Sequence, residues 1–564
     1  MAALKNIPIE ETVEIARKCW LKFKKESVFA LYTPFIVCLA SGTLKIETLQ
    51  HFIAQDCYYL KAFAKGYEAA EKCTDDDDAK VGLSEMRKNV IKELKMHDTV
   101  IQEWDADMVK QRPVNPATVK YTDFLLATTS GKIEGIKAAA TLATPFEKTK
   151  LAAYILGAMI PCIRLYAYLG KELLVFLEGE TTHPYKKIID NYASEGFEEL
   201  VLQNEDWLDK LSVTLTGEEL DIIEKLYQQA MKLELGFLLA QPLNQKSVVP
   251  ISREHNLSDD RLVIFFNFDL TCMFVSSSAI LAEIAIISAP KKSDEDQRED
   301  QVVRMLSADL RSTWEDLSKQ YTEEYEQCID TMLLTEKAES FDYERLHKAL
   351  EQLSDFEKRA NMRVIESGVL KGLNLEDIKR AGEQMILQDG CNNFLQSIIQ
   401  NEQLNADIHV LSYCWCGDLI RSAFSSGGLD VLNVHANEFI FEENLSTAEI
   451  IKKVECPIDK AQAFRKILNN CSNDKKNLTV HVGDTASDLL CLLQADIGIV
   501  LNPSSSLRRV GNHFGVSFIP LFPGIVEKQK ICAAGEGSSC WNGLSGVLYT
   551  VSSWAEIHLF ILGS

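Results

Sequence analysis

Basic residues are in short supply: 59 Lys and Arg stand against 82 Asp and Glu, a formal net charge of −23 over 564 residues. A surface so poor in cations excludes a general binder of nucleic-acid backbone, which needs a surplus of Lys and Arg to neutralise phosphates. It suits small-molecule substrates, cationic ones included. A cysteine framework is also missing. The fifteen cysteines follow no regular spacing, which points to reduced thiols in a reducing compartment. Cys414-Trp415-Cys416 has no second pair to complete a zinc site and reads as structural. Long uncharged apolar runs are absent too. The one membrane-like stretch, Leu151–Leu169, is interrupted by Pro161 and Arg164; it reads as a buried core helix, and no membrane partner is expected. Glu10, Glu11 and Glu14 do not fit an acid-poor transit peptide. A cytoplasmic location is expected for the chain as written, and a mitochondrial one if the natural precursor carries a targeting segment outside it. No internal repeat is apparent, and the length implies two or more domains.

From residue 8 to about 243 sustained strand alternation is missing and the periodicity is helical. Leu49, Phe52, Ile53, Leu60, Phe63 and Tyr67 share one apolar stripe, and Asp56 sits inside it. Ile223, Tyr227, Ala230, Phe237 and Leu238 form another, with Glu234 inside it. The helix over Leu151–Leu169 carries Cys162 and Tyr166 four apart on one face. Each has a bland explanation alone: a buried cysteine acts as a small apolar residue, a stripe acid as a satisfied structural group, a tyrosine as core. Together with Tyr59, Tyr121 and Tyr192 they could line a polar pocket for an aromatic amine, with thiolate attack and carboxylate proton transfer.

Three segments carry a resemblance to the TenA/thiaminase II family: Gln55-Asp56-Cys57-Tyr58-Tyr59-Leu60, Pro161-Cys162-Ile163-Arg164-Leu165-Tyr166 and Glu234-Leu235-Gly236-Phe237. The resemblance covers roughly residues 10–240. It implies an all-α domain that hydrolyses pyrimidine fragments of thiamin, such as aminopyrimidines. It further implies Cys162 as nucleophile, Glu234 as proton relay, Asp56 at the amino edge of the pyrimidine, and Tyr59, Tyr121, Tyr166 and Tyr192 as pocket walls. Arg164 stands where the family pattern leads one to expect an aromatic residue. Assembly into a homo-oligomer through this domain is a further implication.

Residues 244–260 break the periodicity with Pro250 and several Ser and Asn, and read as a linker between a domain at 1–243 and another at 261–564. The Asp75–Asp78 run and the Lys291–Asp300 cluster read as solvated loops or helix ends.

The second domain opens on Leu262–Phe266, a short strand apolar on both faces, followed by Asn267, Asp269 and Thr271 at alternate positions. Residues 276–405 are helical and charge-rich. Four more apolar runs follow, Ile408–Leu411, Leu478–Val482, Ile497–Leu501 and Val516–Ile519, which imply an α/β doubly wound parallel sheet. Ser412 follows the first of them, Lys460 lies near the start of a helix, and Gly483-Asp484 with Asp488 follows the second. Two such carboxylates could hold Mg²⁺ through oxygen, and Lys460 could bind phosphate as a point charge.

In this order Asn267-x-Asp269-x-Thr271, Ser412, Lys460 and Gly483-Asp484-x-x-x-Asp488 resemble the four motifs of the haloacid dehalogenase superfamily. The resemblance implies a Rossmannoid phosphatase with an inserted helical cap of the C1 type at about 276–405. It implies an aspartyl-phosphate route in which Asp269 is the general acid and base, while Thr271, Ser412 and Lys460 hold the phosphoryl oxygens. Mg²⁺ would be bound by residues 267, 269 and 484, with Asp488 supporting or joining them. The superfamily's attacking group is an aspartate, and this chain has Asn267. An amide is a poor nucleophile and a weaker metal ligand of nearly the same shape, so ligand binding with impaired turnover is expected. The pairing of the two domains resembles plant bifunctional proteins of thiamin salvage, which implies thiamin monophosphate as the phosphatase substrate. A silent binding module tethered to an active helical domain, and a phosphatase for another small phosphomonoester, remain as alternatives.

Overall fold

The computed structural model describes residues 14–103, 113–133, 145–177, 182–253, 260–290, 305–430, 432–470, 476–535 and 541–563. Glu10, Glu11 and the Lys291–Asp300 cluster lie outside them. The chain divides into two compact units. The first comprises Met1–Pro250, Ile525–Glu536 and Gly563–Ser564, the second Ile251–Gly524 and Gly537–Leu562.

Among the described residues the first unit has helices and no strand. Its long elements are Ile46–Cys73, Asp77–Glu103, Pro145–Leu174 and Gly217–Leu239. Local chemistry marks their starts. Thr216 and Glu219 form a reciprocal capping box, and Asn115 accepts the Ala117 N–H ahead of Pro116 at the first turn of Pro116–Thr129. The acidic run at 75–78 lies at a helix start, where Asp76 accepts the Ala79 N–H. The helix around Leu151–Leu169 is long and apolar enough to cross a membrane by length and composition, yet 78% of its apolar window is buried within the fold. It is the central core element of the unit.

The stretch at 244–260, expected as a linker, is packed over its first part. Val248 and Val249 are buried. The Val248 N–H donates to Gln529 Oε1, and Gln529 Nε2 donates to the Lys246 carbonyl. Polar composition there reflects backbone groups that find side-chain partners, not a free tether.

The second unit is built on a seven-stranded, wholly parallel sheet. Its strands are β1 (Asp260–Phe266), β2 (Ala406–Leu411), β3 (Asn433–His435), β6 (Lys476–Gly483), β7 (Ile497–Leu501), β8 (Ser517–Pro520) and β9 (Val547–Val551); β4 (Glu438–Glu442) and β5 (Leu445–Ile451) form a separate antiparallel hairpin. The sheet order is β3-β2-β1-β6-β7-β9-β8. The order reverses between β1 and β6, whose ends are in register at Phe266 and Val482. At such a switch point the loops leave in opposite directions and open a crevice at the carboxyl ends of the strands.

Among the described residues five helices lie between β1 and β2: Ser277–Ser288, Ser307–Met332, Tyr343–Ser367, Leu375–Glu383 and Cys391–Gln400. The block divides by packing. Ile329, Met332, Leu346, Leu350 and Leu353 join the core formed with Leu489, Val510 and Leu548. The last two helices pack against Gly417–Ser425 and Trp554–Ile561 respectively. These last two therefore belong to the layer beside the sheet, so the cap is narrower than the stretch of about 276–405 that the resemblance implies.

Candidate functional site

Each unit holds a cavity lined by polar side chains. In the first, a space of about 540 Å³ is walled by Asp56, Tyr59, Cys162, Tyr166 and Tyr192, with Glu93. The helical period of Ile46–Cys73 turns Asp56 and Tyr59 to the same side, and Pro145–Leu174 brings Cys162 and Tyr166 opposite them. Tyr121 and Glu234 lie behind this wall. Tyr59 donates to Tyr121 at 3.2 Å, and the Tyr166 and Tyr192 rings lie 5.1 Å apart. All seven residues expected in the pocket are thus brought together, five on the cavity wall and two behind it.

Burial controls the protonation of this cluster. The Cys162 thiol is pushed well up by burial and then by Glu234, with the Tyr59 hydroxyl opposing, so the resting group is S–H and not thiolate. Burial also lifts Glu234 to about 7, against hydrogen bonds from Cys162, Tyr121 and Tyr59. Among the described residues its buried Oε1 has no hydrogen-bond partner. A thiol beside an acid near neutrality can hand over its proton as it attacks. Asp56 is raised well above the carboxylate range by burial, then by Glu93 and Glu234.

Two residues here escaped the sequence reading. Glu93 and His97, four apart on Asp77–Glu103, converge with Asp56 so that one polar atom of each lies within 4.8 Å of the others. Their i, i+4 spacing was the available signal. Arg164 turns away from the cavity wall, where it bonds Glu198 and both oxygens of Glu205.

The second cavity, about 430 Å³, opens at the switch point of the sheet and reaches Asn267, Asp269, Lys460 and Ser277. Asp269 accepts from both the N–H and the hydroxyl of Ser277, at the start of Ser277–Ser288. Burial raises this carboxyl in spite of those bonds. Leu270 adopts φ +58°, a left-handed conformation unusual for a branched side chain, and the Thr271 hydroxyl just beyond it donates to Asp484. Lys460, fully buried, binds Asp488 at 2.6 Å and Asn267 Oδ1 at 3.2 Å. Burial alone would raise Asp488, but Lys460 holds it below the usual range. Asp484 moves up, through burial and the neighbouring Asp488. Gly483 is required by this packing, since a Cβ there would lie 2.7 Å from Asp488 Cβ and Cγ.

Three expected roles change in detail. Ser412 is buried behind Tyr413 and Cys414, and its oxygen accepts the Cys414 N–H. The Thr271 hydroxyl is committed to a carboxylate. Asp488 uses one oxygen for Lys460 and the other for the N–H groups of Asp484 and Thr485 and the Thr485 hydroxyl, which makes it a support for the loop.

Asn267 decides whether Mg²⁺ fits. Its Oδ1 accepts from Phe268 N–H and Lys460, while its Nδ2 donates to the Asp269 carbonyl at 3.1 Å and Asp484 Oδ1 at 3.4 Å. Turning the amide over would set NH₂ against an ammonium and oxygen against oxygen, so the network fixes this orientation. The amide hydrogens thus point at the two oxygens that would flank a cation. The residues as they stand do not fit Mg²⁺, which demands converging oxygen ligands.

Comparison with known proteins adds the following. Residues 24–244 match the model of the TENA/THI-4/PQQC family. Over 563 residues the chain is 62% identical to the "Bifunctional TH2 protein, mitochondrial" of Arabidopsis thaliana, covering 99% of this chain and 91% of that protein. The aminopyrimidine aminohydrolase of Bacillus subtilis is 25% identical over 33% of this chain and 71% of its own. A substrate-bound phosphoserine phosphatase structure is 20% identical, covering 44% of this chain and 89% of its own, at a TM-score of 0.28.

Proposed function

Because the chain belongs to the bifunctional TH2 family of hydrolases, we propose that its two cavities serve two hydrolytic sites of thiamin salvage. The first unit hydrolyses an aminopyrimidine. Asp56 holds the amino edge of the ring, Cys162 attacks the carbon bearing the amine, Glu234 takes the thiol proton and returns it to the leaving amine, and water then displaces the sulfur, its proton passing through Glu234 back to Cys162. The observation that carries this reading is the placing of Cys162 on one cavity wall with Asp56, its buried thiol neutral at rest beside Glu234, an acid lifted to about 7. Cys162→Ser should reduce aminopyrimidine hydrolysis at least about 10³-fold with unchanged folding, by the usual loss for a nucleophile. Undiminished turnover in an ammonia-release assay would remove the thiol from the mechanism.

For the second unit the reading is a site for thiamin monophosphate. Lys460 and the N-terminal turn of Ser277–Ser288 take the phosphoryl group, Asp269 stands ready as acid, and helices Ser307–Met332 and Tyr343–Ser367 act as cap. Asn267 supports a second reading of this unit, a ligand-binding module without turnover. The name of the Arabidopsis relative places that protein in mitochondria, and we assign this chain the same location as a proposal.

A further inference from the structure

The second cavity has another end that the phosphate chemistry leaves unexplained. Trp314, Tyr321 and Tyr325 from Ser307–Met332 face it, together with Trp415 and Glu357. The rings are arranged as walls: Tyr321 and Tyr325 are stacked at 5.9 Å and 17°, and Trp314 meets Trp415 edge-on at 6.1 Å. Glu357 is only 6% exposed. Its Oε1 accepts the Tyr321 hydroxyl at 2.9 Å, and among the described residues it makes no ion pair. The cations of the lining are engaged elsewhere, Arg363 by both oxygens of Glu324 and Lys460 by Asp488 and Asn267.

A buried carboxylate with one phenol for company is an expensive group, because nothing nearby compensates its charge. Burial accordingly lifts it to about 7. A purely structural role would be served as well by Gln, or by an apolar side chain. What the site does offer is attraction for a flat, delocalised cation, through the π-faces of the rings and through the carboxylate. The phosphate end is close by. Lys460 Nζ lies 5.0 Å from the centre of the Tyr413 ring, and Tyr413 feels the charges of both Glu357 and Asp488. An anion-binding end and a cation-seeking end thus meet across one phenol.

We propose that Glu357, with Tyr321, Trp314 and Trp415, forms the specificity-determining subsite that receives the aromatic cation of the ester proposed above. The subsite rests on the phosphate-ester reading above and supplies the substrate recognition that domain pairing alone does not. It also separates two ester classes, since phosphosugars and neutral aryl esters have nothing to offer Glu357.

The test uses the full chain and two probes, thiamin monophosphate and uncharged benzyl phosphate, by titration calorimetry. The intact chain should bind thiamin monophosphate at least about tenfold more tightly than benzyl phosphate. Glu357→Gln should shrink that preference to within about threefold, and Trp415→Leu should reduce it in the same direction. Equal affinity of the intact chain for the two esters would overturn the cation subsite and leave the phosphate-ester reading standing; this arm needs no variant to fold. A preference undiminished in folded Glu357→Gln would also overturn it. Binding of neither ester would overturn both.

Discussion

Exchanging an oxygen for NH₂ at residue 267 reverses which neighbours the side chain can face. The amide satisfies Lys460 with its oxygen and the Asp269 carbonyl and Asp484 with its nitrogen. A carboxylate would present oxygen to both sides, and the repulsion from Asp269 and Asp484 would be relieved by a cation between them. Asn267→Asp is therefore expected to create Mg²⁺ dependence. Phosphate release from thiamin monophosphate should rise at least about 10³-fold in its presence, as restoring a nucleophile does, while the parent chain stays near background. Equally fast release by both chains would place the attacking group elsewhere. Glu234 supports a second prediction at this scale. Its carboxyl is raised to about 7, so the base proposed to accept the Cys162 proton appears only as pH rises through that value. Aminopyrimidine hydrolysis should climb through about pH 7 and lose that rise in Glu234→Gln. The stability contribution has the opposite sense: a raised acid favours the folded state fully below its unfolded pKa, and this is lost as pH climbs through about 7.

At the scale of elements, the strand ends that build the second site were legible because a strand buried on both faces is a short apolar run that stops abruptly. Leu262–Phe266 and Ile497–Leu501 needed almost no revision against β1 and β7. β9 was missed. It is five residues long, follows Gly546 at φ +74°, and inserts between β7 and β8, an adjacency that chain order cannot express. The β4–β5 hairpin escaped because its strands carry Glu438, Glu442 and Glu449, which blur apolar alternation. Glu357 was invisible for a related reason: one acid in a charged helix announces itself only when Tyr321 from another helix is set against it. The turn after β6 offers a test of how tightly these ends are built. Gly483→Ala would drive a Cβ into Asp488, displacing the carboxylate that anchors Lys460. A loss of about 1–3 kcal/mol is expected from overpacking of this kind, read as a lowered urea midpoint together with weaker phosphate-ester binding. Unaltered stability would mean the loop relaxes freely.

At the scale of the molecule, what the sequence could not disclose is that compact units need not be continuous stretches of chain. Composition suggested a joint at 244–260, because Pro, Ser and Asn break periodicity wherever they stand. The first unit nevertheless recruits Ile525–Glu536 from nearly three hundred residues away. Gln529 shows what this segment supplies. It is fully buried, accepts the Val248 N–H at 2.9 Å and donates to the Lys246 carbonyl at 3.1 Å. Neither backbone group belongs to a helix or sheet ladder, and the buried Val248 N–H depends on the side chain for its acceptor. Gln529→Leu keeps the volume and removes the bonds, leaving the buried Val248 N–H without its acceptor at about 1–3 kcal/mol. The expected result is a melting temperature lowered by several degrees for the first unit, with Val248 and its neighbours losing protection in hydrogen exchange. If 244–250 were instead the solvated tether its composition suggests, its amides would exchange rapidly in the parent chain and the substitution would change nothing.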